Sequence, residues 1–161
     1  MKNFRRLLSS AGVWTFVECC DAFEANKSAG SCGEIKEALR ILYVHGYGSK
    51  INRTGRAIEK LAKQEFGDIR MLYNHYYDEI ASVQQIKEIV ARIDSDCRKF
   101  NPHIVIGSSF GGFLVLHIPG YMRILINPCL LPSEHVGTIS PDMPETDLEN
   151  LKTLEHSCLS N

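Results

Sequence analysis

The 161-residue sequence carries almost no excess of charge, with eighteen Lys and Arg against nineteen Asp and Glu and a formal net charge of -1. It lacks a field able to gather phosphate backbones or anionic lipid, which argues against nucleic-acid and membrane partners. There is no CxxC pair. The six cysteines, Cys19, Cys20, Cys32, Cys97, Cys129 and Cys158, are scattered without a regular frame. That usage points to free thiols in a reducing compartment, not to a zinc or disulfide scaffold, and the expected location is cytoplasmic. No apolar run is long enough to cross a membrane, because the best stretch, Ile104 to Ile118, is broken by Ser108, Ser109, three glycines and His117. A secretory leader is only faintly suggested. Lys2, Arg5 and Arg6 precede an apolar Leu7 to Val17, but Ser9, Ser10 and Gly12 dilute it and no clean cleavage site follows Cys20. Internal repeats and low-complexity blocks are also missing.

What is present suits one compact domain. Apolar residues make up 44% and charged residues 23%, enough to bury a real core. Residues 21–33, DAFEANKSAGSCG, read as a turn-rich connector. Residues 1–38 are therefore expected to be an extension, and 39–161 the ordered domain. From Ile41 the pattern becomes regular: ILYV is a buried strand that stops at the glycine loop His45 to Ser49. Asn52 is placed to cap a helix whose inner face would be Ala57, Ile58, Leu61, Ala62 and Phe66, with Gly67 ending it. Ile69 to Tyr73 is a second strand. Ser82 and Gln85 have capping-box spacing before Val83, Ile86, Ile89, Val90, Ile93, Cys97 and Phe100, which recur at helical intervals. Beyond Pro102, His103 to Ile106 is a third strand, a short helix starts near Phe110, and Arg123 to Ile126 is a fourth strand. This alternation predicts an α/β fold: a mainly parallel sheet of about four strands with helices on both faces.

The third strand runs into Gly107-Ser108-Ser109-Phe110-Gly111-Gly112, a G-x-S-x-G arrangement centred on Ser109. A serine on a sharp strand-to-helix turn has a strained backbone, and glycines two residues to either side let the neighbouring chain pass. A bare match also describes an ordinary turn. The apolar strand before it and the helix-compatible GGFLVLH after it single out the nucleophile elbow. A dinucleotide loop would need glycine where Ser109 stands, and a phosphate loop would need a following Gly-Lys-Ser or Gly-Lys-Thr. An acyl-transfer site also needs two backbone donors for its oxyanion. The N–H groups of Phe110 and of Tyr47, in the first glycine loop, are the candidates. His45 and Gly46 are candidates to line the substrate site, a core histidine bonded to backbone being the competing reading of His45.

LYVHGYGS (Leu42 to Ser49), IGSSFGGF (Ile106 to Phe113) and LINPCLLPSE (Leu125 to Glu134) together resemble the alpha/beta-hydrolase superfamily, and within it the small bacterial branch of YqiA-like esterases. The resemblance covers about residues 40–135. It implies an esterase or related acyl hydrolase acting on a small-molecule ester, with Ser109 as nucleophile and neither metal nor organic cofactor.

A serine hydroxyl needs a histidine to accept its proton and an acid to orient that histidine, in this fold in the chain order serine, acid, histidine. Three histidines follow Ser109. His117 falls on the elbow's own helix, and His135 follows the Asn-Pro loop too soon to leave room for an intervening strand and acid. His156 is left as the candidate, near the end of a helix for which Thr146 and Glu149 form a capping box. Asp142 is its candidate acid, and Asp147 is explained as well by a helix dipole. The family's acid and histidine follow two further strands that have no counterpart here after Ile126, so the chain is expected to be truncated at its C-terminal side. Metal ligation by His75, Asp78 and Glu79 lacks a helical frame and a fourth ligand. Two further function classes stay open: an inactive hydrolase fold serving at most as a binding module, and, last, a nucleotide binder. A bare sheet edge would also favour homodimers.

Overall fold

The computed structural model describes residues 4–8, 14–18, 38–49 and 53–159. Its centre is a four-stranded parallel sheet flanked by helices, an α/β fold. The strands are β3 (Leu39–Val44), β4 (Ile69–Leu72), β5 (Ile104–Ser108) and β6 (Met122–Ile126), and the order across the sheet is β4-β3-β5-β6. Two further strands, β1 (Phe4–Leu8) and β2 (Trp14–Glu18), extend it: β2 pairs antiparallel with β6, and β1 antiparallel with β2. Two segments of the expected N-terminal extension are thus strands, and the edge of β6 carries a neighbour. The intervening residues, and Asn52 with its expected cap, lie outside the described residues.

Strand side chains alternate between the two faces, so one short apolar run can feed two cores. Leu42, Val44, Val105 and Leu125 point into the larger core, whereas Ile41, Tyr43, Ile104, Ile106, Ile124 and Ile126 belong to the smaller one on the other face. The larger core is roofed by α2 (Val83–Phe100), α3 (Phe110–Leu116) and α5 (Glu145–Leu159), the smaller by α1 (Arg53–Phe66).

α2 forms where its periodicity predicts, with Val83, Ile86, Ile89, Ile93 and Cys97 buried. Ser82 Oγ accepts from Gln85 N–H at 3.2 Å, and the Gln85 side chain reaches back to the N–H of Ala81 at 2.6 Å. Asp147 of α5 adds a third acceptor at this end, taking the N–H of Val83 at 3.3 Å. Asn101, in the left-handed region at φ 49°, closes the other end.

α1 turns inward only part of the predicted face, Ile58 and Ala62, with Gly55 added. Gly55 and Ala62 are buried and Ile58 packs on the smaller core, whereas Leu61 and Phe66 are 61% and 69% exposed and Ala57 is exposed. The reason is close approach: a Cβ at Gly55 would stand 3.0 Å from the Tyr43 ring, so the helix sits down on the sheet at that point. Gly67, at φ 80°, ends α1 as expected, its N–H bonded to Lys63 O.

α5 starts at Glu145, so Thr146 lies inside the helix and the expected capping box is not formed. Pro144 supplies the first acceptor instead, its carbonyl taking the N–H groups of Asp147 and Leu148.

The connection from β3 leaves through α1 toward β4, while those from β5 lead through α3 toward β6 on the other side. Connections that diverge from adjacent parallel strands open a crevice beyond the strands' carboxyl ends. The glycine loop after β3 and Ser109 after β5 both lie there.

Candidate active site

Ser109 stands between the last residue of β5 and the first of α3 with φ 51° and ψ -122°. Few non-glycine residues adopt that conformation, and it persists only where surroundings over-determine it. Here they do. Ser109 N–H donates to Ile126 O at 3.0 Å, and Ser109 O accepts from Gly112 N–H at 2.9 Å and Cys129 N–H at 3.0 Å. The turn is thereby clamped to β6 and to the Asn127-Pro128-Cys129 loop that follows it.

The glycines around it are fixed by space. A Cβ on Gly107 would stand 2.5 Å from Gly111 O and 2.6 Å from Val115 Cγ2. One on Gly111 would stand 2.4 Å from the carbonyl oxygens of both Val44 and His45, and one on Gly112 would stand 2.8 Å from Pro128 Cβ. Gly111 therefore lets α3 lie against the end of β3, which brings the β3 loop beside Ser109. At Gly46, in that loop, an added Cβ would be 3.0 Å from Ser109 Cβ. The rest of α3 acts as an anchor, with Phe113, Leu114 and Val115 fully buried. At about 1.5–3 kcal/mol for each large apolar side chain taken from water, their burial holds the helix in place.

Ser109 is half-buried and opens into a cavity of 380 Å³ lined by Tyr47, Ser109, Phe110, Asn127, Pro128, Cys129, His135, Thr138 and Ile139. Both proposed oxyanion residues therefore border the serine's cavity. Phe110 is the first residue of α3, where a helix leaves its N–H without an intrahelical acceptor. Among the described residues, the N–H of neither Phe110 nor Tyr47 donates to another group. Among the described residues, the cavity's lining carries no carboxylate, lysine or arginine, and much of its wall is the apolar surface of Phe110, Pro128 and Ile139. Burial, followed by Glu155 and Glu134, raises the pKa of the half-buried Cys129 thiol above its ordinary 9.0, so the thiol stays protonated and is a poor rival to Ser109.

His45 belongs to the core beneath the loop and does not line the cavity. Its Nδ1 lies 2.8 Å from Gly46 O, and its Nε2 faces Tyr76 N–H at 3.4 Å. Those partners select the tautomer protonated at Nδ1. Burial is the main cause that lowers its pKa, which keeps the ring neutral. Its ring stacks between His75 and Tyr77, and the Tyr77 hydroxyl donates to His45 O. Tyr77 in turn meets Phe110 edge to face at 5.6 Å between ring centres. His45 thus works as a support under the site. His75 pairs with Asp78 at 2.8 Å, and no cluster of three or more metal-ligating side chains occurs among the described residues. No described helix is long and apolar enough to cross a membrane.

His156 and Asp142 are not brought to Ser109. His156 is on the exposed surface of α5 with Nδ1 2.7 Å from Lys152 O, and Asp142 is exposed in the turn before α5. Neither borders the cavity. His117 caps the far end of α3, about 12 Å along the axis from Ser109 at 1.5 Å per residue. His135 is the imidazole that does border the cavity. It closes a short 3-10 turn, Pro132–His135, which continues into α4 (Val136–Ile139).

That segment is held by a residue sequence reasoning missed. Glu155 is 1% exposed, and its carboxylate accepts from Ser133 N–H at 2.6 Å and from Ser133 Oγ at 2.8 Å. A buried carboxylate at the start of a helical turn satisfies that turn's open N–H groups. α5 is thereby tied to the segment that carries His135, Thr138 and Ile139 into the cavity wall. The sequence signal was a lone charged residue on the apolar side of α5, one position after Leu154.

A family model described as an uncharacterised protein family, UPF0227, matches residues 40–160. Searches of curated proteins and of solved structures returned no match.

Proposed function

The chain belongs to the UPF0227 family, and we propose that it is a serine hydrolase that cleaves small carboxylic esters through an acyl-enzyme on Ser109. The observation that carries this reading is the backbone of Ser109. A serine held at φ 51° between a parallel strand and a helix, among glycines that admit no Cβ, faces a cavity also bordered by Tyr47 and Phe110. Such an arrangement has a cost in stability, and exposing a hydroxyl beside two N–H donors is a use that repays it.

In the proposed reaction the Ser109 oxygen attacks the ester carbonyl, and the carbonyl's electron pair moves onto oxygen. The N–H groups of Phe110 and Tyr47 then hold that oxyanion, with α3 contributing the positive end of its first turn. The alcohol departs, water attacks the acyl-serine, and the acid is released. The cavity volume and the partly apolar wall that the described residues give it favour a small ester over a polymeric substrate. A cytoplasmic setting agrees with six cysteines scattered without a CxxC pair.

A second reading is a hydrolase fold without turnover, serving as a binding module. It draws on one observation: among the described residues, no imidazole is hydrogen-bonded to Ser109 Oγ. Hydrolysis of p-nitrophenyl acetate and butyrate by the purified chain decides between the two. Turnover that Ser109→Ala abolishes supports the enzyme. Absence of turnover in a folded chain, or turnover that survives Ser109→Ala, overturns it.

A further inference from the structure

We propose that Tyr77 is the positioning residue that holds the two oxyanion donors, the N–H groups of Tyr47 and Phe110, in register with each other; this rests on the serine-hydrolase reading above. Its ring is where the two donor residues meet. It stacks on Tyr47 with 6.5 Å between ring centres and 14° between planes, and it meets Phe110 edge to face at 5.6 Å. Both separations fall in the range where aromatic pairs attract. Tyr47 belongs to the loop after β3 and Phe110 to the start of α3, so one side chain ties together the two elements that carry one donor each.

The same residue governs the direction of the Tyr47 N–H. In a trans peptide the C=O and N–H point opposite ways, so whatever grips Gly46 O aims the N–H of Tyr47. The grip is His45 Nδ1, 2.8 Å from Gly46 O, and Tyr77 holds that histidine twice. Its ring stacks on the imidazole at 4.6 Å, and its hydroxyl donates to His45 O. On the other side His45 O lies against α3, where a Cβ on Gly111 would stand 2.4 Å from it. The carbonyl is wedged between a helix backbone and a phenol. Tyr77 is anchored in turn. It is buried, and the residue before it is pinned to α2: the Tyr76 hydroxyl donates to Asp96 at 3.0 Å, and Arg92 Nη1 donates to Tyr76 O at 3.0 Å. Burial above all raises the pKa of the Tyr77 phenol, so the hydroxyl stays a donor near neutral pH. Tyr77 is not among the residues that line the cavity, and it acts through the peptides it holds.

The test uses the full chain, with p-nitrophenyl acetate as substrate and trifluoroacetone as a mimic of the oxyanion. Ser109 Oγ adds to the ketone carbon, the carbonyl's electron pair moves onto oxygen and the serine proton leaves to solvent, which puts an oxyanion where the ester's would form. Tyr77→Phe keeps the ring and removes the hydroxyl on His45 O. It is expected to lower kcat and kcat/KM together by about tenfold, a fraction of the roughly 10²–10³-fold that loss of a whole oxyanion donor costs, with KM unchanged. The ketone's inhibition constant should rise by the same factor, because an interaction made only in the transition state is shared by its mimic. That constant belongs to folded molecules alone, so partial unfolding of the variant does not move it. Tyr73→Phe, which removes a hydroxyl bonded to Glu59 beside the smaller core, should change neither quantity. An unchanged inhibition constant in Tyr77→Phe, even with kcat reduced, shows a merely structural role and overturns the proposal, and an equal rise in Tyr73→Phe does the same. Either result leaves Ser109 as nucleophile. A folded wild type that neither hydrolyses the ester nor binds the ketone overturns the hydrolase reading, and this assignment with it.

Discussion

Replacing Gly111 by alanine tests the elbow's construction without reference to activity. The new methyl carbon would stand 2.4 Å from the carbonyl oxygens of Val44 and His45 and 2.8 Å from Val44 C. Carbon contacts are comfortable at about 3.5–4.0 Å, so a gap of about 1 Å must open between α3 and β3. Neither side can yield easily. Val44 ends a strand paired to β5, and α3 is buried on every side from Phe110 to Val115. The obstruction is main chain, so no rotamer change relieves it, and the expected loss is about 3 kcal/mol or more, at the upper end for overpacking. With a urea m-value of about 2 kcal/mol/M, typical of small proteins, the unfolding midpoint should fall by about 1.5 M. Gly137→Ala is the control: nothing lies within 4 Å of its added carbon in α4, and removing a helical glycine should raise stability by about 0.5–1 kcal/mol. Urea denaturation followed by circular dichroism reads both. A Gly111→Ala midpoint within error of wild type would refute the claim that the β3 loop reaches Ser109 through this close approach.

Ser109→Gly should be more stable than Ser109→Ala by about 1 kcal/mol, because glycine relieves the φ 51° strain that alanine retains; equal midpoints would contradict the strained turn. Glu155→Ala leaves the N–H and hydroxyl of Ser133 without their buried acceptor and should cost about 1–3 kcal/mol in thermal or urea unfolding. A neutral result would show that α5 does not anchor the segment carrying His135. Burial lowers the pKa values of His45 and His117 from 6.5. For each, the unfolded chain binds a proton first as pH falls, so stability is fully present above 6.5 and declines below it toward the folded-state value. Unfolding midpoints compared at pH 7.5 and 5.5, with NMR titration of both rings, check this; either ring titrating above 6.5 would contradict it.

The elements legible in the sequence were those whose signals are local. Ser82 and Gln85 with a clean apolar repeat marked α2, and Gly107, Ser109 and Gly111 between an apolar strand and a helix marked the turn where the backbone bends. Readings drifted where partners come from elsewhere in the chain. The inward face of α1 depends on Gly55 meeting Tyr43 of β3, which periodicity over Ala57, Leu61 and Phe66 does not encode. Phe4–Leu8 and Trp14–Glu18 are too short to announce themselves; the first pairs with the second, and the pairing of the second with β6 spans most of the chain. His135 was set aside on chain order, and the structure places it in the cavity lining. The segment that carries it is tied to α5 by Glu155 gripping Ser133 across 22 residues, a contact no local pattern reveals. His156 and Asp142 satisfied the order and missed the cavity.

The central claim is that Ser109, half-buried and open to the cavity, is a reactive nucleophile. Treating the native chain with diisopropyl fluorophosphate and measuring intact mass, then mapping the modified peptide, tests it most directly. The account requires one phosphoryl adduct, on Ser109, absent from urea-unfolded protein and from Ser109→Ala. An unmodified native chain, or an adduct on any other side chain, would contradict it.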